Sequence, residues 1–252
     1  SRKMIAMSIA GYDPSGGAGI LNDIKTFHAI GVYGTGVITV LTAQNPNKVV
    51  GIETVSTDFI EKQLETILED YPVKYVKTGM LYSKENSKLI SDKVIDYKLN
   101  LVVDPVMIAS CGTSLATGNF VKSIKKYLLP NTILTTPNIE EAEKLSGINI
   151  HSIDDAMKAA ESIGKICNVI ITGGHLNGSN IFFNGSIKVI KEDIIKSNNI
   201  HGTGCSYSAA ITASLVKGYD LLQSIEIAGE FVKNGVINGE WGTLNQLYKF
   251  KS

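Results

Sequence analysis

Short apolar runs alternate with longer amphipathic segments along this chain, and that alternation restricts the fold more than any other feature. The apolar runs are typical of buried strands and lie at 4–10, 37–41, 74–78, 99–103, 132–134 and 169–172. The amphipathic segments are typical of helices and lie at 18–30, 57–71, 84–97, 118–128, 138–146, 153–163, 206–217 and 221–238. Two further runs, at 181–183 and 187–190, flank Asn184-Gly185 and predict a hairpin. Because alternating strands and helices form parallel strands joined by helical crossovers, we predict an α/β domain with a largely parallel sheet and helices on both faces.

Length and charge exclude several classes of protein. The 252 residues suffice for one large domain, and no linker, repeat or low-complexity segment divides positions 1–252. The 24 basic residues balance the 24 acidic ones, so the chain lacks the charge excess of proteins that bind nucleic acids or anionic membranes. No apolar run reaches the roughly 18 residues of a membrane span, and the first run, broken by Gly11 and Pro14, is too short for a signal peptide. Cys111, Cys167 and Cys205 form no CxxC pair, so we expect a protein of the reducing cytoplasm. With nucleic acids and membranes excluded as partners, we expect a small-molecule ligand.

One turn near the C-terminal end predicts a site for an anion. Gly202-Thr203-Gly204-Cys205 precedes a run of good helix formers. Glycines let the backbone approach a ligand closely, and the first amides of a helix have no internal acceptor. Those amides and the helix dipole attract negative charge. A chain of zero net charge needs such a local feature if it is to bind phosphate. A cysteine in the first helical turn is expected to have a lowered pKa. The alternative is a glycine-rich turn that only begins a helix.

Two other segments follow predicted strands, where an open α/β sheet binds its ligands. The loop at 10–19 is rich in glycine but matches neither the GxxxxGK[ST] phosphate-binding loop nor the dinucleotide-binding GxGxxG loop, so a sharp turn is the simpler interpretation of this loop alone. Asp104 comes directly after the run at 99–103, and a carboxylate there suits Mg²⁺. Because Pro105 follows it, an Asp-Pro turn explains the same residue equally well.

Asn138 and Glu141 form another candidate pair. Pro137 disfavours a helix before it, so a helix begins near Asn138 and places Glu141 on the same side, three residues on. An N-cap with a capping box explains both residues without a ligand. Gly173 and Gly174 follow a predicted strand and either shape a nucleotide pocket or form a tight turn.

Taken together, six segments resemble the hydroxymethylpyrimidine and phosphomethylpyrimidine kinases of thiamine biosynthesis, which belong to the ribokinase-like superfamily. They occur in the family's order over about 5–235 and are Asp13-Pro14-Ser15-Gly16-Gly17-Ala18-Gly19-Ile20, Thr42-Ala43-Gln44-Asn45, Lys77-Thr78-Gly79-Met80-Leu81, Asp104-Pro105-Val106-Met107, Thr136-Pro137-Asn138 with Glu141-Ala142, and His201-Gly202-Thr203-Gly204-Cys205. The resemblance implies a ribokinase-like three-layer α/β/α sandwich. It also implies ATP-dependent phosphorylation of 4-amino-5-hydroxymethyl-2-methylpyrimidine and of its monophosphate. The implied metal ion is Mg²⁺, with a monovalent cation as a further candidate. The implied assembly is a homodimer.

The resemblance implies roles for individual residues. The catalytic group is the turn that binds the transferring phosphoryl group, with a thiol in the place of the superfamily's usual aspartate base: Gly202, Thr203, Gly204 and Cys205. The positions that line the substrate pocket are Gly11, Asp23, Gln44, Met80 and Val106. The positions at the ATP phosphates are Thr172, Gly173 and Gly174, and those that organise Mg²⁺ are Asp104, Asn138 and Glu141. The amide of Gln44 offers both a donor and an acceptor to the edge of an aminopyrimidine.

The chain departs from the family pattern at a few positions. Thr172 stands where the family usually has a lysine, and Cys111 lies near a position that is often basic. Thr172 together with Lys77-Thr78-Gly79-Met80-Leu81 resembles certain bacterial pyridoxal kinases, so a pyridoxal or pyridoxine kinase is the alternative function. Gln44 favours the pyrimidine, because it would contact the ligand directly. A third hypothesis, a binder without catalysis, does not account for Asp104 and the phosphoryl-binding turn.

Overall fold

The computed structural model describes residues 4–107, 119–174 and 176–250. The strands are β1 (Ile5–Tyr12), β2 (Tyr33–Asn45), β3 (Lys48–Thr54), β4 (Tyr75–Thr78), β5 (Asn100–Val103), β6 (Leu134–Thr135), β7 (Val169–Ile171), β8 (Ser179–Phe183) and β9 (Ile187–Lys191). The α-helices are α1 (Gly19–Ala29), α2 (Thr57–Leu68), α3 (Lys84–Tyr97), α4 (Phe120–Ser123), α5 (Ile139–Ser146), α6 (Ile153–Gly164), α7 (Thr203–Val216) and α8 (Leu221–Ile237). Cys111 lies outside the described residues.

All nine described strands form one mixed sheet in the order β3-β2-β1-β4-β5-β6-β7-β8-β9. The pairs from β2 through β1, β4, β5 and β6 to β7 are parallel. The pairs β2–β3, β7–β8 and β8–β9 are antiparallel. The predicted largely parallel sheet and the predicted hairpin are therefore confirmed, since β8 and β9 contain both of its runs.

Strand β2 is longer than predicted, and β3 was not predicted at all. The apolar run at 37–41 contains the buried residues Val37, Thr39 and Val40 of a strand that continues to Asn45, where a tight connection through Pro46 leads into β3. Residues beyond position 40 of β2 alternate between half-buried and exposed, and β3 has no fully buried residue. Both segments therefore lack the continuous apolar run that marks a buried strand.

Helices cover both faces of the sheet. On one face α1, α7 and α8 pack through Phe27, Ala209, Ile211 and Ala228. On the other face α2, α3, α5 and α6 contribute to a single large apolar cluster with the strands. The three-layer α/β/α sandwich is thus confirmed. Within residues 4–107, 119–174 and 176–250, no helix combines the length and apolarity that crossing a membrane requires.

Three helices differ from their predicted limits by three or more residues. Helix α2 ends at Leu68 rather than at 71. The segment predicted as a helix at 118–128 is described from position 119, and its α-helical turn passes into a π-helix at Ile124–Leu128. Helix α7 begins at Thr203 rather than at 206, because Gly202 is its N-cap and adopts a left-handed backbone with φ of 82°. This earlier start places Cys205 in the first turn of the helix.

Candidate functional site

A cavity of about 210 Å³ opens where the parallel strands end, which is the ligand-binding edge of such a sheet. The predicted site residues that line it are Gly11, Gln44, Met80, Asp104, Val106, Asn138, Glu141, Thr172, Gly202, Thr203, Gly204 and Cys205. Residues not predicted as site residues also line it, and they include Asp13, Thr42, Gly79, Thr136 and His201. The fold therefore brings together residues from all six motifs, five of them at the ends of strands and the sixth at the start of α7. Asp23, Gly173 and Gly174 lie outside this wall.

The start of α7 forms one side of the cavity. No side chain caps this helix, and its first intrahelical bond runs from the Ser206 amide to the Gly202 carbonyl. The amides of Gly204 and Cys205 precede that bond, and both residues face the cavity. A Cβ at position 204 would lie 4.0 Å from an oxygen of Asp104, so this residue faces the carboxylate across the cavity. The arrangement fits an anion that approaches the helix start.

The thiol of Cys205 is half-buried in the wall, and its environment differs from the one predicted. Burial raises the pKa of the Cys205 thiol to about 12, and the charges of Asp23 and Asp104 add to that rise. Lys77 and the backbone of Gly19 act in the opposite direction but do not cancel the rise. The prediction that the helix start lowers this pKa is therefore wrong for the protein without ligands. Cys205 is a neutral thiol at pH 7.

Two carboxylates face the cavity from β5 and α5. Burial, the larger effect, and the Asp23 charge raise the pKa of Asp104 to about 6, although Lys77 lowers it. Burial, followed by the charge of Asp104, raises the pKa of Glu141 to about 8. These two buried carboxylates oppose each other's ionisation, which is the situation that a bound cation relieves. Their oxygen atoms are the ligand type that Mg²⁺ prefers, so the pair fits a divalent cation.

Asn138 and Glu141 also form a capping box at the start of α5. The Glu141 amide donates to Asn138 Oδ1 at 2.8 Å, and the Asn138 amide donates to Glu141 Oε1 at 2.9 Å. The capping interpretation of this pair is confirmed, and it coexists with the position of both residues at the cavity. Among the described residues, no three His, Cys, Asp or Glu side chains cluster as a ready metal site.

Lys77 lies behind the cavity wall and pairs with Asp23. Its Nζ is 2.9 Å from Asp23 Oδ1, and both side chains are fully buried. Ser8 Oγ donates to the other carboxylate oxygen at 2.5 Å. Asp23 was predicted to line the pocket, but these contacts place it one layer below the wall. Burial alone would lower the pKa of Lys77, but Asp23, Cys205 and Asp104 raise it above its usual value. The site therefore contains a fixed buried cation next to its reactive groups.

The wall of the cavity beside β2 combines apolar and amide groups. Gln44 lies near the end of β2 and is half-buried. Thr39 Oγ1 donates to the Met80 carbonyl at 2.6 Å, which ties β2 to the segment after β4. A Cβ at Gly11 would lie 3.0 Å from Val40 Cγ1, so a larger residue would fit only if Val40 shifted. An apolar wall with one amide fits a flat, polar-edged ring.

The turn after β7 approaches the cavity from the side of α5. Thr172 lines the cavity, and its amide donates to the Pro137 carbonyl at 3.0 Å. The Gly173 amide donates to Asn180 Oδ1 at 3.0 Å, while Gly174 lines a neighbouring groove with Asn138. Thr172 thus belongs to the cavity and Gly174 continues the surface beyond it, whereas Gly173, predicted to lie at the ATP phosphates, is buried.

Comparison with known proteins identifies the family of this site. The family model described as phosphomethylpyrimidine kinase matches residues 13–246. The chain belongs to the phosphomethylpyrimidine kinase family. The hydroxymethylpyrimidine/phosphomethylpyrimidine kinase of Bacillus subtilis is 41% identical over 241 residues, covering 92% of this chain and 89% of the relative. The kinase of the same description from Aquifex aeolicus is 38% identical and covers 94% of this chain and 96% of the relative.

Solved structures of this phosphomethylpyrimidine kinase family and of pyridoxal kinases share the fold. The phosphomethylpyrimidine kinase of Clostridium difficile 630 has a TM-score of 0.81 at 39% identity, covering 92% of this chain and 98% of that chain. An ADP complex of Bacillus subtilis pyridoxal kinase has a TM-score of 0.87 at 34% identity, covering 97% of this chain and 95% of that chain. The resemblance to the kinase family and its ribokinase-like fold is therefore confirmed, and the chain is a phosphotransferase.

Among the residues at or behind the cavity wall that were not predicted as functional, three take part in side-chain ion pairs, namely Asp13, Lys77 and His201. Each lies inside a motif that carried the family resemblance, so the motif itself was the available signal. Their importance comes from pairings across the fold: Asp13 with His201, and Lys77 with Asp23. Such pairs are 188 and 54 residues apart along the chain, and no local pattern relates them.

Proposed function

We propose that this chain, as a single kinase domain, uses ATP to phosphorylate the hydroxymethyl group of 4-amino-5-hydroxymethyl-2-methylpyrimidine and then its monophosphate, in thiamine biosynthesis. The observation that carries the proposal is one cavity with two features, an amide-bearing apolar wall at Gln44 and the start of α7 at Gly204 and Cys205. A ring held at the first would direct its hydroxymethyl group to the second. The names of the relatives support the same substrate.

The chemistry of this proposal assigns one task to each end of the cavity. The amides at Gly204 and Cys205 bind the transferring phosphoryl group, since phosphoryl transfer depends mainly on positioning and charge stabilisation. Cys205 acts in its thiolate form, which forms when the thiol first releases its proton to solvent. As the substrate oxygen bonds to the γ-phosphorus, the hydroxyl proton passes to this thiolate, and ADP leaves with the electrons of the broken bond. Asp104, Glu141 and Asn138 would hold Mg²⁺, which neutralises phosphate charge when bound. Thr172, Gly173 and Gly174 would lie along the ATP phosphates.

An ADP-release assay with the pyrimidine, its monophosphate and pyridoxal side by side tests the substrate. We expect the two pyrimidines to give the highest kcat/KM. The second candidate, a pyridoxal kinase, is favoured by the similarity to the Bacillus subtilis pyridoxal kinase structure. A higher kcat/KM for pyridoxal than for both pyrimidines would replace our assignment with that one.

Gln44→Met is expected to raise the KM for hydroxymethylpyrimidine by about 10- to 100-fold, because it leaves the ring's polar edge unpaired in a partly buried site. The KM for ATP should change much less, since the two ligands occupy different ends of the cavity. Steady-state kinetics with each substrate varied in turn measure both constants. Gln44→Glu is a matched control that keeps the length of the side chain and its acceptors but removes the donor. Unchanged constants for the pyrimidine in both variants would contradict a contact with the ring.

Asp104→Asn and Glu141→Gln are expected to raise the Mg²⁺ concentration for half-maximal activity by roughly tenfold or more. Even the loss of a residue that only hydrogen-bonds to a metal ligand can weaken metal affinity by this much. Each change removes a carboxylate charge that attracts the cation. Activity titrations with MgCl₂ at fixed ATP give the midpoints. Glu140→Gln is the matched control, because Glu140 is exposed on the same helical turn. Equal midpoints in all four proteins would leave Asn138 and Glu141 as a capping box only.

Three further expectations complete the proposal. A monovalent cation at the phosphates is tested by comparing activity in potassium and tetramethylammonium salts. A homodimer is tested by sedimentation velocity. A reducing, cytoplasmic environment is supported by Cys167 and Cys205, both free thiols, and fractionation of the source cells tests it.

A further inference from the structure

A buried side-chain pair connects the loop after β1 to the start of α7. Asp13 Oδ2 lies 2.7 Å from His201 Nε2, and the two residues are 3% and 4% exposed. The same carboxylate accepts the Ala18 amide at 3.0 Å through Oδ2 and the Ser15 amide at 2.9 Å through Oδ1. Each oxygen of Asp13 is therefore used, and the pair holds a whole loop against the helix start.

Asp13 is ionised in this arrangement. Burial, the largest effect, would raise its pKa, but the hydrogen bonds from His201 and Ser15 outweigh burial and lower the pKa below its usual value. A carboxylate only accepts hydrogen bonds, so His201 Nε2 carries the proton that it donates to Asp13. Hydrogen bonds to a charged group are shorter and stronger than neutral ones, which suits a contact that must define a position.

The backbones on either side of this pair are in close contact. Gly202 has a φ of 82°, and any side chain there would overlap the Gly17 carbonyl. A side chain at Gly17 would in turn lie 2.5 Å from the His201 ring. The His201 amide donates to the Gly242 carbonyl at 3.0 Å, which fixes the residue from its other side. The turn before α7 is thus packed against Gly17 on one side and bonded to Gly242 on the other.

We propose that Asp13 and His201 act as positioning residues for phosphoryl transfer: their buried contact holds the amides of Gly204 and Cys205 in place before the phosphoryl group arrives. The proposal rests on the kinase function proposed above. His201 directly precedes the turn that binds the phosphoryl group, and both partners line the cavity. Donors held in place in advance need no reorganisation during the reaction, and that is the source of their catalytic effect.

His201→Leu and Asp13→Asn are expected to lower kcat by roughly 10²-fold, the loss that a displacement of about 1 Å in the reacting geometry causes, with the KM for the pyrimidine nearly unchanged. His201→Gln should recover most of this loss, because its amide nitrogen can replace Nε2 as a donor. The double variant His201→Leu/Asp13→Asn should be no slower than His201→Leu, since the change at position 201 already removes the contact. His28→Leu and Asp92→Asn, two exposed positions, are matched controls.

A second measurement separates this inference from the identity of the substrate. ADP with aluminium fluoride resembles the transferring phosphoryl group and requires no acceptor, so calorimetry with and without fluoride reports on the helix start alone. The measured quantity is the ratio of the dissociation constant for ADP to that for ADP with aluminium fluoride. We expect this ratio to be about tenfold or more smaller in His201→Leu than in the wild type. Thermal unfolding gives the folded fraction for each variant. If kcat per folded enzyme and this preference both equal the wild-type values, the pair is structural only and the inference is overturned. A wild-type enzyme that phosphorylates only pyridoxal would overturn the substrate proposal and leave this one standing.

Discussion

Replacing Cys205 by alanine is expected to lower kcat by roughly 10²- to 10⁴-fold, the range typical of losing a general base. The thiol lies on the cavity wall in the first turn of α7, next to the amides that would bind the phosphoryl group. ATP binding should be retained, because those amides belong to the backbone. Steady-state kinetics give kcat, and calorimetry with ATP gives the dissociation constant.

The pH dependence of kcat provides the control for the Cys205 prediction. Since burial raises the pKa of the Cys205 thiol to about 12, the thiolate fraction grows throughout the range from pH 6 to 9. A base that must be deprotonated therefore makes kcat rise with pH, and the Cys205→Ala variant should lose that part of the slope. Asp104 and Glu141 also titrate in or near this pH range, and both are present in the wild type and in Cys205→Ala. Only the difference between the pH profiles of kcat for these two proteins therefore reports on the thiol. Near-wild-type turnover of the variant, or two parallel profiles, would make Cys205 a structural residue.

Lys77→Met is expected to lower the free energy of unfolding by about 3–5 kcal/mol, the cost of removing one partner of a buried ion pair. The substitution leaves the carboxylate of Asp23 fully buried beside Ser8 without its counter-charge. Urea titration followed by circular dichroism measures the loss. The double variant Lys77→Met/Asp23→Asn should regain most of it, because it contains no unpaired buried charge.

Lys93→Met is the matched control for Lys77→Met. Lys93 also contacts carboxylates, at 3.3 Å from Glu61 and 2.9 Å from Glu65, but the side chains of these partners are 44% and 43% exposed. Ion pairs that water reaches are worth at most about 1 kcal/mol, so this variant should unfold nearly like the wild type. If Lys77→Met and Lys93→Met lowered the free energy of unfolding equally, burial of the Lys77–Asp23 pair would have no effect on stability.

The sequence by itself was sufficient wherever the signal is local. Apolar runs and amphipathic periods predicted the layers, because strand and helix repeats are read over a few neighbouring residues. The position of Asp104 at the end of β5 and the capping box of Asn138 and Glu141 followed from the same short-range rules. Strand β3 was missed for the same reason, since its half-exposed residues have no buried apolar run.

The tertiary structure alone decided which charges meet. The contact of Asp13 with His201 and the burial of Lys77 with Asp23 join segments that are distant in the chain. The pKa of Cys205 shows the consequence most clearly: its place at a helix start predicted a lowered value, whereas burial and two nearby carboxylates raise it. The pKa of a group depends on the nearby charges and on how far burial removes the group from water. A sequence motif contains only the neighbours of that group along the chain.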